Sequence, residues 1–244
     1  MKPLLRLLAL LLVSVLGLQF FFLARIAMMA VIDPQSTSFQ RSEAWGLATT
    51  AKDGLRWRQQ WVPYAQISDH LKRAVIASED GSFVNHDGLD WDALEKAWAR
   101  NAKAEEQAAK RAQLARPNAR PPKIVGGSTI TQQLAKNLLL SGERTLLRKG
   151  QEFVLTVLLE LLLNKQRILE IYLNSVEWGS GVFGAEAAAQ HYYRKSAARL
   201  TAWEAARLAV MLPRPKFFEK LPNSAYLSGR TGTIVARMGD AELP

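Results

Sequence analysis

The sequence predicts a mainly α-helical protein, one apolar N-terminal helix followed by a single larger domain. Three observations predict it. The first 32 residues are strongly apolar. From Ile67 onward, apolar residues recur at three- and four-residue spacing, as on one face of a helix. Thr-x-x-Gln and Thr-x-x-Glu boxes open several of these segments, and few stretches alternate as strands do.

Lys2 and Arg6 flank an apolar run from Leu7 to Ala24, interrupted only by Ser14, Gly17 and Gln19. About 20 apolar residues span a bilayer, and this run reaches that length by continuing past Arg25 to Ile32. It exceeds the roughly 7–15 apolar residues of a cleaved signal peptide and lacks a small-x-small cleavage site. Residues 1–32 are therefore read as a cytoplasmic tip and an uncleaved transmembrane anchor. Positive charge at the short end keeps that end in the cytoplasm and exports the remainder.

Residues 33–54, starting at Asp33-Pro34, read as a polar linker, and 55–244 as the domain. LRWRQQWVPYAQIS (55–68) is aromatic and basic, suited either to a membrane surface or to packing at a domain edge. Ile67, Leu71, Ala74, Val75 and Ser78 then share one helical face that ends near Glu79. A second helix starts near Asp90, with Trp91, Leu94 and Trp98 on one side. It runs into a basic, Ala-rich and finally Pro-rich stretch over 96–123, read as a solvated insertion. Thr129 and Gln132 form a capping box before the stripe Ile130, Leu134, Leu138. Residues 143–163 read as an apolar core helix, too short and too charged at its start to be a second span. Residues 165–193 read as helix, Gly-rich turn and Ala-rich helix, and a Thr201–Glu204 box opens a last helix ending at Pro213.

The net charge of +10 favours an anionic partner, and the absence of cysteine excludes disulfides and thiolate metal sites. An exported, anchored domain makes nucleic acid an unsuitable partner and leaves phospholipid headgroups or a phosphorylated substrate.

Three patterns carry chemistry. ASEDGSFVNHDGLD (77–90) gathers four acids around a histidine and two glycines. These acids either cap a turn or include one partly desolvated carboxyl that handles a proton near neutral pH. GGST (126–129) leads into a helix N-terminus, where backbone N–H groups suit phosphate oxygens, but no P-loop follows. In ERTLLRKGQE (143–152), Arg144, Arg148 and Glu152 fall along one helix side. That is the pattern of a surface salt-bridge ladder, or of guanidinium groups facing phosphate.

Taken in order, E-D-x-x-F-x-x-H-x-G (79–88), G-G-S-T-I-T-Q-Q-x-x-K-N (126–137), R-K-x-x-E (148–152) and I-x-x-x-Y-L-N (168–174) resemble glycosyltransferase family 51, the peptidoglycan glycosyltransferases. The resemblance covers about residues 55–215. No S-x-x-K or K-T-G of a transpeptidase domain is present, so the chain resembles the monofunctional biosynthetic type. The basic stretch at 96–123 departs from the family pattern.

The resemblance implies a lysozyme-like helical lobe with a smaller, membrane-proximal jaw, held at the bacterial inner membrane with the domain in the periplasm. It implies polymerisation of lipid II, the lipid-linked disaccharide-pentapeptide, onto a growing glycan chain, with undecaprenyl pyrophosphate leaving and the anomeric centre inverted. By the same resemblance Glu79 is the general base, and Glu152 is the second catalytic acid, acting as the ligand of a divalent cation, magnesium (Mg2+), or as an orienting acid. Ser128, Gln132, Gln133, Lys136, Arg144 and Arg148 are expected around substrate and pyrophosphate. Asp80, Phe83, His86, Gly88 and Asn174 are expected to shape the motifs. Inner-membrane lipids and other cell-wall synthesis proteins are the further partners expected.

Overall fold

The computed structural model describes residues 2–50, 56–113, 126–140, 142–143 and 145–244, with the side chains of 111–113 left aside. Arg144 and the Pro-rich part of the basic stretch lie outside the described residues.

The chain is mainly helical, as the periodicity predicts. Helix α1 (Lys2–Met28) carries the apolar run and is the one described helix long and apolar enough to cross a membrane. Only Phe22 and Ile26 of it are buried in the protein, so its remaining apolar surface calls for an apolar surrounding. Gln19 turns out not to face solvent alone. Its amide exchanges two hydrogen bonds, of 3.0 and 3.1 Å, with that of Gln151.

The expected linker contains a helix, α2 (Ser38–Thr50). Thr37 and Gln40 form the same reciprocal cap as Thr129 and Gln132: the Gln40 carbonyl accepts from the Thr37 N–H at 2.8 Å, and the Thr37 hydroxyl from the Gln40 N–H at 3.0 Å. Gln40 also donates to the Ser175 carbonyl at 3.2 Å, which fixes α2 to the body of the domain.

Strand β1 (Arg58–Gln59) follows, and aromatic side chains around it pack at the domain edge. Trp57 stacks on Phe183 with centroids 4.5 Å apart, and the Arg167 guanidinium lies 5.5 Å from the Trp61 ring. Helix α3 (Asp69–Glu79) is capped by Ser68 and buries Leu71, Ala74, Val75 and Ile76. Helix α4 (Trp91–Gln113) starts where expected, but both tryptophans of its predicted face are exposed.

Helix α5 (Ile130–Leu139) buries the predicted stripe Ile130, Leu134 and Leu138. Helix α6 (Leu146–Leu162) corrects the core-helix reading. Glu152, Leu155, Thr156 and Leu159 are buried, yet Leu146 and Leu147 are 92% and 87% exposed, and Phe153, Val154 and Leu161 also face outward. An all-round apolar pattern suits a helix between two apolar surroundings as well as one inside a core. Helix α1 packs along it.

Helix α7 (Lys165–Ser175) leads into a small three-stranded sheet of β1, β2 (Glu177–Gly179) and β3 (Val182–Phe183). β3 lies in the middle, parallel to β1 and antiparallel to β2. Helices α8 (Ala185–Tyr193), α9 (Ala202–Met211), α10 (Pro215–Lys220) and α11 (Ala225–Arg237) complete the domain, α9 packing against both α3 and α11. The Thr201–Glu204 capping box is present. One continuous apolar cluster runs from Phe22 to Ala241.

Asn174 is wholly buried and acts like a piece of backbone. Its side chain accepts from the Val62 N–H at 3.0 Å and donates to the Val62 carbonyl at 3.0 Å and the Glu170 carbonyl at 2.9 Å. Gly184 sits close by with φ +85°, and a Cβ there would stand 2.7 Å from the Asn174 carbonyl oxygen. Gly184→Ala is therefore expected to destabilise the domain by about 1–3 kcal/mol, read from denaturant unfolding.

Candidate active site

The acid-rich turn and the Gly-Gly-Ser-Thr turn are knitted together. Asp80, the C-cap of α3, accepts from the Ile130 N–H at 2.9 Å through one oxygen and pairs with His86 Nε2 at 2.9 Å through the other. His86 Nδ1 accepts from the Gly88 N–H at 3.1 Å, so the neutral ring carries its proton on Nε2 and donates to Asp80. The Thr129 hydroxyl donates to the Gly88 carbonyl at 2.6 Å. Gly88 has φ +83°, and a Cβ would meet Thr156 and Glu160 at 2.7 and 2.8 Å. Phe83 is fully buried beneath this turn, with the Lys165 ammonium 4.6 Å from its ring centroid. Asp90 accepts from Ser82 and, at 2.7 Å, from the Ala93 N–H. Three of the four acids in the turn are thus accounted for as caps or are Asp87 on the surface.

Glu79 is different. Its Oε2 accepts from the Gln133 amide at 3.1 Å and its Oε1 from the Ser78 hydroxyl at 3.3 Å. Gln133 in turn accepts from the buried Tyr172 hydroxyl at 2.9 Å. A chain Tyr172–Gln133–Glu79 therefore fixes which face of the Gln133 amide meets the carboxylate. Burial pushes the Glu79 carboxyl above the usual range; the bonds from Gln133 and Ser78 oppose the rise, nearby Asp80 adds to it and Arg230 opposes it. A raised carboxyl is what proton acceptance near neutral pH needs.

Glu79 lines a cleft of about 1020 Å³ shared with Ser128, Gln132, Gln133, Lys136, Arg148 and Glu152. All the expected substrate and catalytic residues that lie within the described chain are thus brought to one cavity. Gln132 does double duty, since its carbonyl caps the Thr129 N–H at 3.1 Å. Glu152 is buried and both its oxygens are engaged: Oε2 by Arg148 at 2.7 Å, Oε1 by Lys149.

That pairing bears on the expected magnesium. A carboxylate already holding two cationic side chains leaves no oxygen facing a metal, and Arg148 and Lys149 would repel one. Glu152 in this arrangement does not fit a cation ligand. Its charge instead offsets and orients the two cations. Asp80, His86 and Asp90 lie close enough together to suggest a metal triad, but the hydrogen bonds above already use them.

Several cleft residues were not singled out from sequence: Tyr172 and Lys149, and the α2 residues Phe39, Arg41 and Glu43 with Glu177 opposite. Lys149 and Tyr172 stand inside the quoted motifs. The α2 wall was legible only through its Thr37-x-x-Gln40 cap.

Over this geometry lies a match of the Transglycosylase family model to residues 47–239, most of the chain. The chain belongs to the transglycosylase family. It is 53% identical over 229 residues to a biosynthetic peptidoglycan transglycosylase of Burkholderia thailandensis, covering 94% of this chain and 83% of that protein. It is 52% identical to the protein of the same name from Paraburkholderia xenovorans, covering 94% and 88%. The resemblance read from four motifs therefore holds across the whole domain, and peptidoglycan transglycosylation is the activity of this enzyme.

Proposed function

We propose that this transglycosylase polymerises glycan strands from lipid II, with Glu79 as general base and undecaprenyl pyrophosphate as leaving group. Glu79 takes the proton of the acceptor sugar's 4-hydroxyl as that oxygen attacks the anomeric carbon of the growing chain. The carbon–oxygen bond to pyrophosphate breaks, its electron pair leaves with the phosphate, and the centre inverts. The leaving group's growing charge is met by Lys136, Arg148 and Lys149, with Arg144 a further candidate outside the described residues. The observation that carries this reading is the shared cleft, lined both by a half-buried carboxyl of raised pKa and by a cluster of cations.

The apolar α1 supports single-pass anchoring in the bacterial inner membrane, with the domain on the periplasmic side, where lipid II and membrane lipids are met together. A hydrolase cutting finished glycan would also use a carboxyl group, but it would have no pyrophosphate for the cations to stabilise. Purified full-length protein is incubated with labelled lipid II and, separately, with finished glycan. Polymer from the first and no fragments from the second is expected; fragments without polymer would overturn the reading.

A further inference from the structure

One wall of the cleft is built from α2, the helix immediately after the anchor, which packs against α5 and lines the cleft through residues including Phe39, Ser42 and Glu43. Lys216, the second residue of α10, lies between this helix and the sheet. Its ammonium is bonded to Glu43 and stands 3.2 Å from Glu177 Oε1 on β2. Glu177 also lines the cleft, and its side chain is 9% exposed. Its Oε1 makes no aligned hydrogen bond. Burial pushes this carboxyl up to about 7, with Glu43 and Glu219 adding to the rise and Lys216 opposing it. Burying such a group is costly, and the adjacent ammonium is the charge that offsets it.

The rest of α2 is held independently. Gln40 bonds the Ser175 carbonyl, and Phe39 meets the Phe183 ring edge-on at 6.2 Å. The Lys216 bridge therefore adds little to whether α2 docks. It governs how closely the cleft-facing turn bearing Glu43 is drawn toward β2.

We propose that Lys216 is a positioning residue which, by bridging Glu43 and Glu177, sets the width of the cleft and hence the affinity for the lipid-linked substrate, while leaving bond-making to Glu79. The proposal rests on the lipid II reading above. Losing a bridge between partly buried charges while the reacting groups stay in place raises KM and spares kcat.

The test uses full-length protein in detergent with labelled lipid II, comparing wild type, Lys216→Gln and Lys216→Arg. Lys216→Gln is expected to raise KM about tenfold with kcat within about twofold, and Lys216→Arg, which can span two carboxylates, to restore KM. Amide hydrogen exchange in the turn of α2 around Glu43, measured without substrate, should quicken in Lys216→Gln and not in Lys216→Arg. An unchanged KM, a fall in kcat alone, or failure of Lys216→Arg to restore KM would overturn the proposal. Should Lys216→Gln not fold, Glu43→Gln gives the same reading, because it cuts the bridge and leaves Lys216 beside Glu177. Wild type that makes no polymer would defeat the lipid II reading instead, and the exchange result would still report on the bridge.

Discussion

Glu79→Gln is expected to stop polymer formation while lipid II still binds. The amide keeps the size of the carboxylate and one accepting oxygen, so Gln133 and Ser78 can stay in place. It cannot take a proton, and base catalysis is worth about 100- to 10,000-fold. Polymer yield and substrate binding, measured separately, decide it; full activity in Glu79→Gln would remove the base. The raised pKa adds a second, opposite effect. A carboxyl whose folded pKa lies above its unfolded value of about 4.3 contributes stability that is present below that value and lost as pH rises through the folded one. Wild-type activity should accordingly rise with pH over the range in which Glu79 stability is lost. Glu79→Gln, which never ionises, should melt higher than wild type at pH 8 and show no such gain at pH 4. A catalytic loss coupled to a pH-dependent stability gain is the signature of a buried base, and a mere packing residue would not give it.

The second large effect is expected at the cationic wall. Lys136→Ala and Arg148→Ala should each lower the rate about 100- to 1000-fold, the usual cost of removing one placed donor to a developing anion. Lys103→Ala and Lys110→Ala should be nearly silent: both sit on the exposed side of α4, and Lys110 pairs with Glu106 in solvent. Glu152→Gln should also fail, because Arg148 and Lys149 lose the charge that aligns them. Added magnesium should not rescue it, since in this geometry Glu152 serves the two cations and offers no oxygen to a metal. Rescue across a magnesium titration would return the metal role to Glu152.

How much of this was legible in the sequence differs by element. Helix α3 was readable from its one-sided stripe, α9 from its Thr201–Glu204 box and α5 from both, because burial on one face and a capping box are local signals. Pattern alone placed Glu79 at a helix end without telling it apart from Asp80; the family resemblance separated them. The difference is made by Gln133, which follows Glu79 by 54 positions, and by the Ile130 N–H that claims Asp80. Helix α2 was read as linker because SFQRSEAWGLATT has no regular apolar face; its docking depends on Gln40 reaching a carbonyl 135 residues on. The exposure of α6 was hidden for a different reason. Leu146 and Leu147 look like core residues in any pattern that counts only apolarity, and hydropathy does not say whether an apolar side chain meets protein or lipid. The magnesium expectation came with the family resemblance and its pyrophosphate leaving group, and the contact of Lys149 with Glu152 shows only in three dimensions.

The Gln19–Gln151 amide pair has a consequence for depth. Gln19 lies nine residues before Met28, the last residue of α1, and at 1.5 Å per residue that is about 13 Å short of the helix end. With α1 anchored as proposed, the start of α6 is held alongside the outer part of the membrane helix. Leu146, Leu147, Phe153 and Val154, exposed on this stretch of α6, are then the side chains placed to meet acyl chains. A lipid-linked substrate of the proposed kind then reaches the cleft with its hydrocarbon tail still in the bilayer, so the roughly 0.8 kcal/mol per methylene that extraction into water would cost is never incurred.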